Sequence, residues 1–353
     1  MNDSVRRVTA ALSHQAPDRV PRDDGYWAEF TAIWRKEKGL GKDVDIHKFY
    51  MNDIRVAVGD ETPYFSQAKV LEEGKGYRIE RDGWGMVKRV IQGGNFYEEL
   101  EVAIKEPADL DRKPFDPADA DARYDNLTSA VERWKQTEFV FCKTGGPYLR
   151  TAFLRGQTQF LMDIAADPAF VKEIVNRTTD HLIAVALEEL RRWDLYSTGL
   201  AVYDDMAYND SLMFSPKTYE EIFQPAIKRL VQAAKGAGAR FVMFHSDGNI
   251  ADALDGLIDA GVDAINPVEP RAGLDVVKLK EKYGKKLAYV GGLCNSLILP
   301  KGTPDEVRAH AEHCLRAAEG GGYIMGCHSV GPDIPVRNYD ITFDVWKKFV
   351  GMS

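Results

Sequence analysis

Between Arg240 and Asn249 the chain reads Arg-Phe-Val-Met-Phe-His-Ser-Asp-Gly-Asn, which sets an imidazole and a carboxylate two residues apart. Both groups carry protons and both bind metals. Phe241 to Phe244 is apolar without a break, as in a strand covered on both faces. Side chains alternate along a strand, so His245 and Asp247 point the same way at its carboxyl end. Other ionisable residues also close apolar runs: Asp204-Asp205, Glu269, Cys294 and Cys327-His328. If these ends converge, they supply nitrogen, oxygen and sulfur, the donors that zinc accepts in a tetrahedral shell. His245, Asp247 and Cys327 then make three ligands. The plainer alternative is that strand-end polar groups hydrogen-bond loop backbones or fill space. His310 and Cys314, four apart on a helical face, read as packing.

Convergence needs a fold that gathers strand ends at one rim. From Phe139 onward strands and helices alternate: strands at Phe139 to Cys142, Leu200 to Tyr203, Phe241 to Phe244, Ala264 to Pro267, Leu287 to Val290 and Tyr323 to His328. Between them run helical patterns, including Leu149 to Ala166 and Pro168 to Trp193, and Ser215-Pro216 has the form of an N-cap with proline at the first helical position. The pattern predicts a (β/α)8 TIM barrel of class α/β, one domain over residues 1–353. The alternative, a doubly wound open sheet, lacks its usual Gly-x-Gly-x-x-Gly or Walker loop. Val5 to Leu12 reads as a short helix, ended by Pro17 and Pro21. Residues 77–104 alternate with a shorter period and contain Asp82-Gly83 and Gly93-Gly94-Asn95, which predicts an inserted antiparallel hairpin. Asp53 precedes an alternating segment and is a candidate for facing a cleft, the plainer alternative being a surface-loop aspartate.

The 353 residues carry 46 basic and 54 acidic side chains, a net charge of −8, which argues against wrapping a nucleic-acid backbone. The beginning of the chain has no apolar run for a signal peptide or a membrane span, so a cytoplasmic location is expected. Four widely spaced cysteines suit free thiols better than a disulfide framework.

Phe244-His245-Ser246-Asp247-Gly248-Asn249, Asp204-Asp205 with Ser215-Pro216 after it, Asn52-Asp53-Ile54, Gly146-Pro147-Tyr148 and Gly326-Cys327 together resemble the uroporphyrinogen decarboxylase superfamily over most of the chain. The resemblance implies a barrel with its pocket at the carboxyl rim. The superfamily holds cofactor-free decarboxylases and zinc-dependent methyltransferases that exchange methyl groups with a corrinoid on a partner protein. The decarboxylases have an N-terminal Arg-Gln-Ala-Gly-Arg segment for a polycarboxylate substrate. Here that region reads Pro21-Arg22-Asp23-Asp24-Gly25-Tyr26-Trp27, whose acids repel such a substrate, although His328 falls near a histidine of the decarboxylases.

The methyltransferase branch is similar at His-x-Cys and Gly-Cys, which map onto His245, Asp247 and Cys327, with Asp247 in place of cysteine. Carboxylate gives zinc less charge than thiolate does, leaving a stronger Lewis acid suited to oxygen. The resemblance therefore implies an O-demethylating methyltransferase: zinc polarises the oxygen of a methyl ether, with a methoxylated aromatic as first choice, and a reduced corrinoid (cobalamin) attacks the methyl carbon. Decarboxylation and methyl transfer from a methylcorrinoid to a thiol are the alternatives. Asp205 and Glu269 are assigned to catalysis; Tyr26, Asp53 and Tyr148 to the donor. The partners expected are a small methyl donor and a corrinoid protein, with no nucleic acid or membrane; a homodimer stays open.

Overall fold

The computed structural model describes residues 1–91 and 97–352. The strands are β1 (Ile54–Ala57), β2 (Lys69–Gly74), β3 (Tyr77–Arg81), β4 (Val87–Ile91), β5 (Tyr97–Glu101), β6 (Phe139–Gly145), β7 (Gly199–Tyr203), β8 (Phe241–His245), β9 (Ala264–Val268), β10 (Ala288–Leu293) and β11 (Tyr323–Cys327). Seven of them form a curled parallel sheet in the order β1-β6-β7-β8-β9-β10-β11. The remaining gap is filled by Pro21 to Asp24. Arg22 bridges Met325 in parallel, Met325 N–H donates to Pro21 O (2.9 Å), and Asp53 N–H donates to Arg22 O (2.8 Å). The segment thus serves as the eighth stave of a TIM barrel. Prolines hid it in the sequence, yet Pro21 takes part by accepting through its carbonyl, where no N–H is required.

Alternation along the staves sorts the side chains into two cores. Phe139, Phe141, Phe241, Met243, Val290 and Ile324 point inward and meet Val8, Ala11 and Leu12 of the helix Asp3–Leu12. That helix plugs the amino-terminal mouth of the barrel. Asn2 caps it by accepting from Val5 N–H, and its amide donates to Lys135 O and Glu138 O at the barrel floor. The outward residues, such as Val242, Phe244 and Met325, pack under the surrounding helices.

The expected helix Leu149 to Ala166 is two helices, Pro147–Arg155 and Gln157–Ala166. Gly156 between them sits at φ 84°, a conformation that favours glycine. The inserted sheet is larger than a hairpin: four antiparallel strands, β2-β3-β4-β5, starting at Lys69 rather than at residue 77. Its first strand is mostly exposed and lacks apolar alternation, so no periodic signal announces it. The expected turn at Gly93-Gly94-Asn95 lies outside the described residues. Among the described residues no helix is long and apolar enough to cross a membrane.

Candidate metal centre

The ladder pairs Gly145 with Tyr203, Tyr203 with His245, and His245 with Asn266, aligning these residues at the carboxyl rim. His245 is buried, and its Nδ1–H donates to Asn266 Oδ1 (2.6 Å). A carbonyl oxygen can only accept, so this bond fixes the tautomer and leaves the Nε2 lone pair free. Tyr203 stacks on the imidazole at 4.2 Å with a 9° tilt. Burial pushes the His245 pKa down, keeping the ring neutral and available as a ligand.

His245 Nε2 lies 3.6 Å from both Asp205 Oδ1 and Asp247 Oδ1, and His328 Nε2 lies 3.3 Å from Asp247 Oδ1. His245, Asp247 and His328 each offer a ligand atom within 4.8 Å of the others. Asp247 Oδ1 is buried and has no hydrogen-bond partner among the described residues. Burial raises the Asp247 pKa; His328 opposes that shift, and the charges of Asp205 and Glu269 add to it. A divalent cation would supply the missing partner for that oxygen and relieve the repulsion among three carboxylates. The residues therefore fit a metal with mixed nitrogen and oxygen ligands.

Asp205 and Glu269 hold the loop that presents Asp247. Asp247 N–H donates to Asp205 Oδ1 (3.1 Å), and Gly248 N–H donates to Glu269 Oε2 (2.9 Å). Gly248 takes φ 83° there, with Tyr208 and Ala207 backbone where a Cβ would stand. Asp204, next to Asp205, is fully buried and accepts from Tyr148 N–H and Leu149 N–H at the start of helix Pro147–Arg155.

Four assignments from the sequence need correction. Cys327 does not join the cluster, because Ile324 points into the barrel and the two-residue period then sends His328 inward and Cys327 outward. Its thiol lies against Asp24 Oδ1 (3.3 Å) and is pushed well up in pKa by burial. Asp53 precedes β1 and so lies at the opposite end of the barrel, where Ser4, Arg7 and Arg19 bind its carboxylate. Tyr148 is fully buried among Phe160, Phe214 and Phe223. Tyr26 spends its hydroxyl on Tyr339 (2.7 Å) and its ring on His47 and Tyr50. The place of His328 in the cluster and the bond from His245 to Asn266 were missed. The alternation of β9 and β11 carried the signal, but their apolar residues occupy both faces and conceal which face is inner.

No curated protein matches the sequence. Among solved structures, a methyltransferase from Methanosarcina mazei is similar with a TM-score of 0.68 at 16% identity, covering 99% of each chain. A B12-independent methionine synthase from Shewanella, in complex with selenomethionine, gives a TM-score of 0.46 at 12% identity, with 97% of this chain and 95% of that one covered. The first likeness shows a shared fold. The family model described as Uroporphyrinogen decarboxylase (URO-D) matches residues 96–349, most of the chain and all of the cluster, and the chain therefore belongs to the uroporphyrinogen decarboxylase family.

Proposed function

We propose that the chain is a methyltransferase. It takes a methyl group from an oxygen-bound donor, first of all a methoxylated aromatic, and passes it to a corrinoid carried by a partner protein, with zinc held by His245, Asp247 and His328. The observation that carries this reading is Asp247 Oδ1, buried and without a hydrogen bond, beside two imidazole nitrogens at the barrel rim. Zinc bound there supplies Lewis acidity toward the donor's oxygen. Asn266 holds His245 in the metal-binding tautomer, Tyr203 fixes the plane of its ring, and Asp205 and Glu269 hold the Asp247 turn. A donor set without sulfur is harder than a thiolate set, which favours oxygen over sulfur in the substrate. The fold shared with the Methanosarcina mazei methyltransferase supports the same reading.

The test is to give the zinc-loaded protein reduced cobalamin and 2-methoxyphenol and to follow methylcobalamin by its absorbance. Formation that depends on zinc and is lost in His245→Ala supports methyl transfer. No formation with 2-methoxyphenol or other methoxylated aromatics sinks it. Cofactor-free decarboxylation is the second reading, favoured by the family match and by an inward His328. It predicts carbon dioxide release that zinc removal leaves unchanged.

A further inference from the structure

We infer that Asp23 is a proton donor inside the barrel, serving the oxygen from which the methyl group departs. This rests on the methyl-transfer reading and narrows it to donors whose leaving oxygen is basic. Asp23 lies on the Pro21 to Asp24 stave, where Arg22 and Asp24 turn outward. Arg22 sits over the rings of Tyr339, Phe343 and Trp346, while Asp24 binds Tyr339 Oη–H (2.7 Å) and Cys327 N–H (2.9 Å). Alternation turns Asp23 inward between them. Arg22 is 0% and Asp24 2% exposed, yet Asp23 keeps some contact with solvent. The helix Asp3–Leu12 plugs the floor, and Tyr203, which feels the charges of Asp23, Asp205 and Asp247, stacks on His245 at the rim.

Among the described residues no hydrogen bond reaches the carboxyl. Burial first, then the charges of Asp24 and Asp53, push its pKa up to about 7 against the opposing pull of Arg55. The other titratable groups that feel its charge are Cys327 and Tyr203, the latter stacked on His245. A general acid works best with a pKa near the operating pH. An inward acid of that kind has a use when the leaving atom is an ether oxygen. The C–O bond breaks, and the methyl carbon bonds to the reduced corrinoid of the partner, which supplies both electrons and is thereby oxidised. The C–O electron pair stays on oxygen and takes the proton of Asp23, which water then restores. A phenol, with a pKa of about 10, holds that proton more firmly than a thiol at about 8.5.

The test compares wild type, Asp23→Asn and Asp23→Glu, as full-length zinc-loaded protein with reduced cobalamin, on two probes. One is 2-methoxyphenol. The other is 4-nitroanisole, whose nitrophenolate leaves without help from an acid. Asp23→Asn is expected to slow the first probe by roughly 10²–10⁴-fold, to leave the second within a few-fold, and to keep its zinc. Asp23→Glu is expected to recover part of the loss. The wild-type rate on 2-methoxyphenol should fall above pH 7 as the acid ionises, while the rate of Asp23→Asn stays flat over that range. Equal effects of Asp23→Asn on both probes, or none, overturn the inference while leaving methyl transfer standing. A wild type inactive on both probes overturns the methyl-transfer reading and the inference with it.

Discussion

Asp247 is the residue on which the site turns, because its buried oxygen has no hydrogen-bond partner among the described residues while both neighbouring imidazoles present Nε2. His328→Ala is expected to lose zinc and Cys327→Ser to keep about one per chain, as measured by elemental analysis after dialysis. Zinc loss in Cys327→Ser alone would restore the cysteine as a ligand. Asn266→Ala removes the bond that selects the His245 tautomer, and a zinc competition assay should show affinity lowered by roughly 10–100-fold. His245 and Asp247 were legible in the sequence because Phe241 to Phe244 fixes the strand and the period of two does the rest. The choice between Cys327 and His328 was not, since Tyr323-Ile-Met-Gly-Cys-His offers apolar residues on both faces and only the packed barrel shows that Ile324 is inside. Asp53 misled for the opposite reason: a lone aspartate before a strand gives no sign that three side chains from the barrel floor will bind it.

At the scale of elements, the helix Asp3–Leu12 and the stave Pro21 to Asp24 complete a barrel that the other strands leave unfinished. Leu12, 4% exposed among the inward residues, is a core contact of the plug. Leu12→Ala is expected to cost roughly 2–5 kcal/mol in urea unfolding while leaving zinc stoichiometry unchanged in the folded protein. A cost below about half a kcal/mol would mean that the plug contributes little. The helix Pro168–Arg192 buries His181, whose Nε2–H donates to Glu61 O (2.9 Å). Burial lowers its pKa to about 4 from 6.5. The unfolded chain therefore binds a proton near pH 6.5 that the folded chain takes up only near pH 4. This contribution to stability is full above 6.5 and falls as the pH drops toward 4, by on the order of 3 kcal/mol. His181→Gln keeps an N–H donor but does not titrate, so its melting temperature should fall less than that of wild type between pH 7 and 5. Parallel curves would remove His181 as a cause. The regular alternation from Phe139 onward made most staves legible. The stave at Pro21 escaped because it is held by pairing to both neighbours rather than by any local pattern.

For the whole molecule, the barrel separates two tasks by its ends. Apolar side chains and the helix Asp3–Leu12 close one mouth, and the ionisable residues gather at the other, where His245, Asp247 and His328 stand with Asp205 and Glu269 behind them. The end at which a strand's polar residue falls thus decides its fate: Asp247 after β8 meets the cluster, whereas Asp53 before β1 is bound into the floor. On the proposed methyl-transfer reading, a donor and a partner's corrinoid would both use the open mouth, since the other one is filled. The central claim concerns the donors at that mouth, and X-ray absorption at the zinc edge of the zinc-loaded wild type tests it most directly. The account predicts a shell of nitrogen and oxygen only, at about 2.0–2.2 Å, unchanged in Cys327→Ser and lost in Asp247→Ala. A sulfur scatterer at about 2.3 Å that disappears in Cys327→Ser would contradict it.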